Sequence, residues 1–368
     1  MREYWIALNS IDGLGPVRIR RLLEFFGTPK DVLSVPPPLL LDKKLIPASS
    51  AKAFQNKGEL IDNARKQIDF CDKKDIYILI QDDENYPVYL KEIFAPPPVI
   101  YVKGDLAVLR KHALAVVGTR HPTPYGMDCA RSLTAQLCGS AVIASGLARG
   151  IDTVAHTHCL DMGGQTVAVL GCGIDRVYPS ENQSLAERIC QNGALLSEFP
   201  PQTAPEPYNF PRRNRVISGI SCGVIVIEAG EKSGALITAD YALQQNRTVF
   251  AVPGPINSSV SGGTFKLIKD GAVPVRSAAD IFEHISAVTF VPLLTASPQK
   301  IRSEAPPAPE LAAEELAVWD ALSDTPERVD TIAQTCGMEI PQLLRVLLTL
   351  ELKGFIAQLG GQQFRRTS

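Results

Sequence analysis

An excess of basic charge is missing from this sequence: 37 Lys and Arg stand against 39 Asp and Glu in 368 residues, a formal net charge of −2. A protein coated in positive surface is thereby excluded, and any nucleic-acid site has to come from a local cluster of cations. Histidines number five and none of the eight cysteines forms a Cys-x-x-Cys pair, so the ligand spacing of a structural zinc site is absent. Most of the cysteines fall inside apolar or helical stretches, the profile of packed, reduced thiols. No run approaches the ~18 apolar residues of a membrane span. Met1-Arg2-Glu3-Tyr4-Trp5 lacks the apolar core of a signal peptide. The expectation is a cytoplasmic protein with no metal and no membrane partner, long enough for two or three domains.

What the chain does have is a device repeated between Ala113 and Pro274. Ala115-Val116-Val117 runs into Gly118-Thr119-Arg120, and a helical pattern follows from about Tyr125 to Leu137. Val142-Ile143-Ala144 leads into Ser145-Gly146-Leu147-Ala148-Arg149-Gly150-Ile151-Asp152, and Val167-Ala168-Val169-Leu170 into Gly171-Cys172-Gly173-Ile174-Asp175. Val224-Ile225-Val226-Ile227 leads into Glu228-Ala229-Gly230, then Lys232-Ser233-Gly234-Ala235-Leu236-Ile237-Thr238. Short apolar runs alternating with helical segments read as buried parallel strands of a doubly wound α/β sheet. Their glycine-rich carboxyl ends share one edge, where such folds bind ligands. There glycine admits close backbone approach, helix N–H groups point at an anion, and arginine adds a two-pronged charged donor.

Between the third and fourth turns, Asn209-Phe210-Pro211-Arg212-Arg213-Asn214-Arg215 sets three arginines beside an aromatic, with no carboxylate nearer than Glu206. Phosphates need cations, and unpaired bases need an aromatic face. If 211–219 is helical, Arg212 and Arg215 share a face and Arg213 points elsewhere. Structural alternatives stand beside these readings: Arg120 paired with Asp152, Phe210 in the core, one of the arginines a buried partner of Glu228. Asp152 and Asp175 are expected to cap or orient loops, and His156 and His158 to pack.

Val-Val-Gly-Thr-Arg, Ser-Gly-Leu-Ala-Arg-Gly-Ile-Asp, Phe-Pro-Arg-Arg-Asn-Arg, Ser-Gly-Ala-Leu-Ile-Thr-Ala and Val-Phe-Ala-Val-Pro-Gly, in this order over residues 116–254, resemble the bacterial DprA/Smf family. Its members are DNA-processing proteins of natural transformation. The resemblance implies a Rossmann-like, mostly parallel sheet that binds single-stranded DNA and helps load RecA, with no catalysis and no cofactor. On the turns above, the candidate DNA-binding residues are Gly118, Thr119, Arg120, Ser145, Gly146, Arg149 and Gly150. From the later segments come Phe210, Arg212, Arg213, Asn214, Arg215, Lys232, Ser233, Gly234 and Thr238. Which arginine of 212–215 meets a phosphate stays open. Phe265 departs from the Asn or His usual in relatives, so Phe265, Leu267, Ile268 and Val273 are expected to form a homodimer surface, with core packing as the alternative.

The flanks read as separate domains. Residues 1–66 carry apolar positions at helical spacing, and Gly13-Leu14-Gly15-Pro16 before Arg18, Arg20 and Arg21 resembles a helix-hairpin-helix or SAM-like module. The preferred reading is a packing domain with solvated arginines, and phosphate contact by the hairpin is the other. Residues 67–296 form the extended Rossmann-like domain, with Ile76–Ile80 and Val99–Val102 as added strands, and 297–310 is a proline-rich linker. Residues 311–368 give three helices and two short strands, a winged helix. Arg345 is the one basic residue of its Ile340–Leu352 helix, so protein contact is expected there in place of base reading.

Two other functions compete. The central domain is similar to the lysine-decarboxylase-like nucleotide phosphoribohydrolases. They need Pro-Gly-Gly-x-Gly-Thr-x-x-Glu where this chain has Lys232 to Thr238 and no such glutamate. A duplex-DNA regulator rests on the winged helix alone.

Overall fold

Valine and isoleucine at consecutive positions leave a strand no polar face, so such runs are stable only between two layers. The computed structural model describes residues 1–285, 313–322, 327–353, 355–359 and 363–366. Its strands are β1 (Tyr77–Ile80), β2 (Val99–Gly104), β3 (Ala113–Gly118), β4 (Val142–Ser145), β5 (Thr166–Leu170), β6 (Gly193–Ser197), β7 (Gly223–Ile227), β8 (Thr248–Ala251) and β9 (Val273–Pro274). They join one sheet in the order β1-β2-β6-β5-β4-β3-β7-β8-β9. From β6 to β9 every neighbouring pair is parallel, whereas β2 runs antiparallel to β6 and β1 antiparallel to β2.

Alternate residues of the central strands face opposite helical layers. Leu114, Val116, Ile225 and Ile227 pack with Leu133, Leu137, Ala155 and Cys159 of helices Pro124–Leu137 and Ile151–Asp161. Ala115, Val117, Val224 and Val226 pack with Val216, Ile217, Ala239 and Ala242 of helices Asn209–Gly219 and Gly234–Gln244. The chain steps from β3 through β4 and β5 to β6 on one side, then returns to place β7, β8 and β9 on the other. Neighbouring β3 and β7 therefore diverge in their connections, and a crevice opens at their carboxyl ends. This is a doubly wound, Rossmann-like architecture. β6 was not among the strands read from the sequence, because Ala194-Leu195-Leu196 is too short an apolar run to show a period.

The N-terminal helices, chiefly Arg2–Asn9, Pro16–Phe26 and Lys57–Asp72, bury Trp5, Leu8, Leu22 and Phe54 in a core continuous with Tyr101 and Leu170 of the sheet. Helix Lys57–Asp72 runs straight across residue 66. Two of the three hairpin arginines are engaged by their own chain. Arg18 donates to the Gly13 carbonyl at 2.7 Å, and Arg20 donates to the Phe94 carbonyl at 3.1 Å while lying 5.5 Å from the centre of its ring.

Contacts divide the chain between residues 295 and 296 into two compact units. The second holds helices Ala313–Ala321, Val329–Cys336 and Ile340–Leu352 with a three-stranded antiparallel sheet of Glu327–Arg328, Gln363–Arg366 and Ile356–Leu359. Val318, Ile332, Leu347 and Phe364 form its core. Ile340, Leu344 and Leu348, four residues apart on the last helix, are exposed. The proline-rich stretch 297–310 lies outside the described residues. Among the described residues, no helix is long and apolar enough to cross a membrane.

Candidate nucleic-acid interface

The crevice at the β3 and β7 ends is a cleft of about 830 Å³, and three glycine-rich turns with the start of helix Asn209–Gly219 build it. Gly118, Thr119 and Arg120 line it from β3, Lys232, Ser233, Gly234 and Thr238 from the β7 connection, and Phe210, Arg213 and Asn214 from the helix. A smaller adjoining recess adds Gly146 and Arg149 and again includes Arg120, Phe210 and Arg213. Twelve of the sixteen residues singled out above thus surround one continuous opening.

Each turn is held by its own bonds. The Thr119 amide donates to the Glu228 carbonyl at 2.7 Å, which carries the sheet register one residue beyond β3. Glu228 is buried at φ +51°, and its carboxylate accepts from the Thr123 amide at 2.9 Å and from the Thr123 hydroxyl. The N-terminus of helix Pro124–Leu137 therefore already meets a carboxylate of the protein, and Glu228 partners Thr123 in place of an arginine. Helix Gly234–Gln244 differs: its first turn faces the cleft through Gly234 and Ala235, with Ser233 Oγ accepting from the Ala235 amide at 3.3 Å and Lys232 exposed beside it. That end sets the positive end of a helix beside a cation, the combination that suits an anion.

Arg120 is exposed and forms no ion pair among the described residues. Asp152, the alternative partner for it, is buried and accepts from the Gly146 and Ala148 amides at 3.1 and 3.3 Å, orienting the turn after β4. Burial pushes the Asp152 carboxyl above its usual range, with the Arg213 charge opposing the rise. Arg213 lies under the cleft. It is buried and donates to the carbonyls of Gly146 and, at 2.7 Å, of Val169, and to Asn214 Oδ1 at 3.1 Å. Burial pulls it down to about 10, so it stays charged at neutral pH. The half-buried Phe210 ring sits 5.8 Å from the Arg213 guanidinium and 5.5 Å from the Tyr178 ring. A Cβ at Gly171 would come within 2.8 Å of Phe210, so glycine is what lets the ring in.

Of the sixteen candidates, Ser145, Gly150, Arg212 and Arg215 line neither opening. Ser145 is buried and donates to the Val116 carbonyl at 2.6 Å. Gly150, at φ +77°, starts helix Ile151–Asp161 against the backbone of Thr119 and Arg120. As three-residue spacing requires, Arg212 and Arg215 leave the helix on a different face from Arg213. They line a separate cleft of about 590 Å³ beside the Gly13–Pro16 hairpin. Arg215 is paired with Glu198 and donates to the Ala95 carbonyl at 2.5 Å; Arg212 stacks 5.0 Å over Phe199. Arg149 is exposed, and Glu181 holds it through two bonds of 2.5 and 2.7 Å. On helix Gly262–Lys269, Phe265 is exposed while Leu267 is buried and Ile268 packs on the core; Val273 of β9 is half-buried.

Sequence reading passed over Tyr178 and His121, which line both openings. Tyr178 is an aromatic eight residues beyond β5, and its pairing with Phe210 depends on the loop path, which no periodicity reports.

A family model described as DNA recombination-mediator protein A matches residues 77–286, and a DprA winged helix domain model matches residues 302–362. The chain is 33% identical to Protein Smf of Synechocystis sp. across 99% of its own length and 98% of that protein. The X-ray structure of DNA processing protein A from Streptococcus pneumoniae superposes with a TM-score of 0.69 at 34% identity, covering 78% of this chain and 99% of that one. A structure of DNA processing protein A from Helicobacter pylori, concerned with its single-stranded DNA binding mode, superposes with a TM-score of 0.52 at 31% identity, over 56% of this chain and 94% of that one. With motif order, sheet topology and winged helix in agreement over nearly the full length, the chain belongs to the DprA/Smf family of DNA-processing proteins.

Proposed function

We propose that this protein binds single-stranded DNA at the carboxyl edge of its sheet without hydrolysing it. The observation that carries the reading is the juxtaposition of two aromatic rings, Phe210 and Tyr178, with Arg120, Arg213 and Lys232 around one cleft. Stacking on an aromatic favours bases that are not already paired, and the cations meet the backbone beside them. A duplex keeps its base faces covered. The single-stranded DNA binding described for the Helicobacter pylori relative supports the same reading.

A non-catalytic role fits the carboxylates of the site. Asp152 is committed to two backbone amides and Glu228 to Thr123, so neither is placed to take a proton from a substrate. The finer role we propose is protection of incoming DNA and promotion of RecA loading during natural transformation, in the cytoplasm and as a homodimer. Ile256 and Phe265, both well exposed, support self-association through the segment after β8. The exposed Ile340, Leu344 and Leu348 support a protein-contact role for the winged helix.

Equilibrium titration with one sequence presented as single strand and as duplex tests the proposal. Tighter binding of the single strand is expected. Equal affinity for the two forms, or turnover of AMP or a nucleotide sugar, would overturn it.

A further inference from the structure

Past β5 the loop Gly171–Pro179 reaches a second depression, of about 730 Å³, lined by Phe70, Lys74, Lys103, Asp175, Arg176 and Gln202. Its charge is one-sided. Three cations stand around a single carboxylate, and that carboxylate is engaged, Asp175 Oδ1 accepting from the Gln202 amide at 2.7 Å. Among the described residues Lys74, Lys103 and Arg176 form no ion pair, whereas nearby Arg149 and Arg188 are held by Glu181 and Asp161. In a chain with a net charge of −2, a concentration of unpaired cations in one concavity is uncommon, and it focuses positive potential there.

The depression also has an aromatic wall in the half-buried Phe70. Its chemistry repeats that of the first cleft, which sets Phe210 among arginines. The two are joined by the same loop: Arg176 lines the second, and Tyr178, two residues on, lines the first and contacts Phe210. Two residues span at most ~7 Å of chain, so the openings are neighbours along this rim. The loop is anchored where it turns, with the Arg176 amide donating to the Gly173 carbonyl at 2.9 Å.

We propose that a single strand leaving the first cleft continues over Tyr178 and Arg176 into this depression, where Lys74, Lys103 and Arg176 take its phosphates and Phe70 a base. The inference rests on the single-strand reading above and gives that site a direction and a second subsite. Phosphodiesters need cations along the path and a base needs an aromatic face, and here three cations and the half-buried Phe70 ring line one depression.

The test uses the double substitution Lys74→Ala and Arg176→Ala in the full chain, both side chains being exposed. Binding is titrated across a salt series with oligonucleotides of about 4 and about 16 nucleotides, the bounds of common single-strand site sizes. The expected result is an unchanged short-oligonucleotide affinity, with the salt slope for the long one shallower by about 1.4, two contacts at about 0.7 each. A charge-matched control, Lys43→Ala with Lys57→Ala on exposed positions lining neither opening, is expected to move neither value. An unchanged slope for the long strand overturns the second subsite alone, as does equal loss on both lengths or an equal loss in the control. Failure of the unsubstituted chain to prefer single strands overturns the underlying reading and this extension with it.

Discussion

Gly146 and Arg213 share one small space: the guanidinium Nη1 donates to the Gly146 carbonyl, and a Cβ at position 146 would lie 2.5 Å from that same nitrogen. The guanidinium has nowhere easy to go, because Val169 and Asn214 hold it as well. Gly146→Ala is therefore expected to destabilise the fold by about 1–3 kcal/mol, as overpacking does. It should also weaken single-strand binding, since the cation beneath Phe210 must shift. Urea midpoints measure the first effect. A midpoint equal to that of the unsubstituted chain would show that Arg213 moves freely.

The three arginines of the 212–215 segment divide by environment, and their substitutions should divide likewise. Arg215 and Glu198 have side chains only 13% and 5% exposed; Arg215 donates to Glu198 Oε2, and the buried Oε1 has no hydrogen-bond partner among the described residues. Arg215→Ala leaves that carboxylate buried and unpaired, an expected cost of about 3–5 kcal/mol. Its salt slope for DNA binding should stay that of the unsubstituted chain. Arg212→Ala, at an exposed position, should change stability by less than about 0.5 kcal/mol. The reverse pattern in urea melts would mean that Arg215 serves DNA and Arg212 the fold.

Much of this was legible in the sequence because the information is local. Apolar runs that end in glycine, as Ala115-Val116-Val117 ends in Gly118, announce buried strands, and the stretches read from β3, β4, β5, β7 and β8 all form parallel neighbours of the sheet. The three-residue spacing of Arg212 and Arg215 was enough to separate them from Arg213. What was not legible depends on partners far along the chain. Glu228 closes on Thr123 across 105 positions, Arg215 donates to Ala95 across 120, and Tyr178 meets Phe210 only once β5 and helix Asn209–Gly219 are side by side. β6 escaped because three apolar residues between a helix and Glu198 carry no period.

His156 gives the fold a pH dependence. It is buried with Nδ1 2.6 Å from Thr166 Oγ1, and burial first, then the Arg213 charge, pulls its pKa from 6.5 to about 3. The native state keeps the ring neutral while the unfolded chain takes up a proton. Its contribution to stability is therefore complete above about pH 6.5 and is lost as pH falls from there toward 3, by up to about 1.4 kcal/mol per unit. Between pH 7 and pH 5 the loss amounts to roughly 2 kcal/mol. Asp152, raised by burial, contributes in the opposite sense, so the comparison is with His156→Asn and not with the bare curve. The substituted chain should lose less stability on acidification. Parallel curves would show that His156 does not supply the slope.

Phe265 is 65% exposed on a helix whose Leu267 is only 7% exposed, so a substitution there reaches the surface without opening the core. If the proposed homodimer uses this helix, Phe265→Arg should give folded monomers by sedimentation. A dimer that survives the substitution places the interface elsewhere.

Arg120, exposed at the β3 edge of the cleft without an ion pair among the described residues, is the side chain we propose to meet DNA phosphate. The most direct measurement is the salt dependence of binding to one single-stranded oligonucleotide by the unsubstituted chain and by Arg120→Ala. Loss of one phosphate contact predicts weaker binding at every salt concentration and a slope of log affinity against log salt shallower by about 0.7. An unchanged slope in a folded Arg120→Ala protein would contradict that contact and the function built on it.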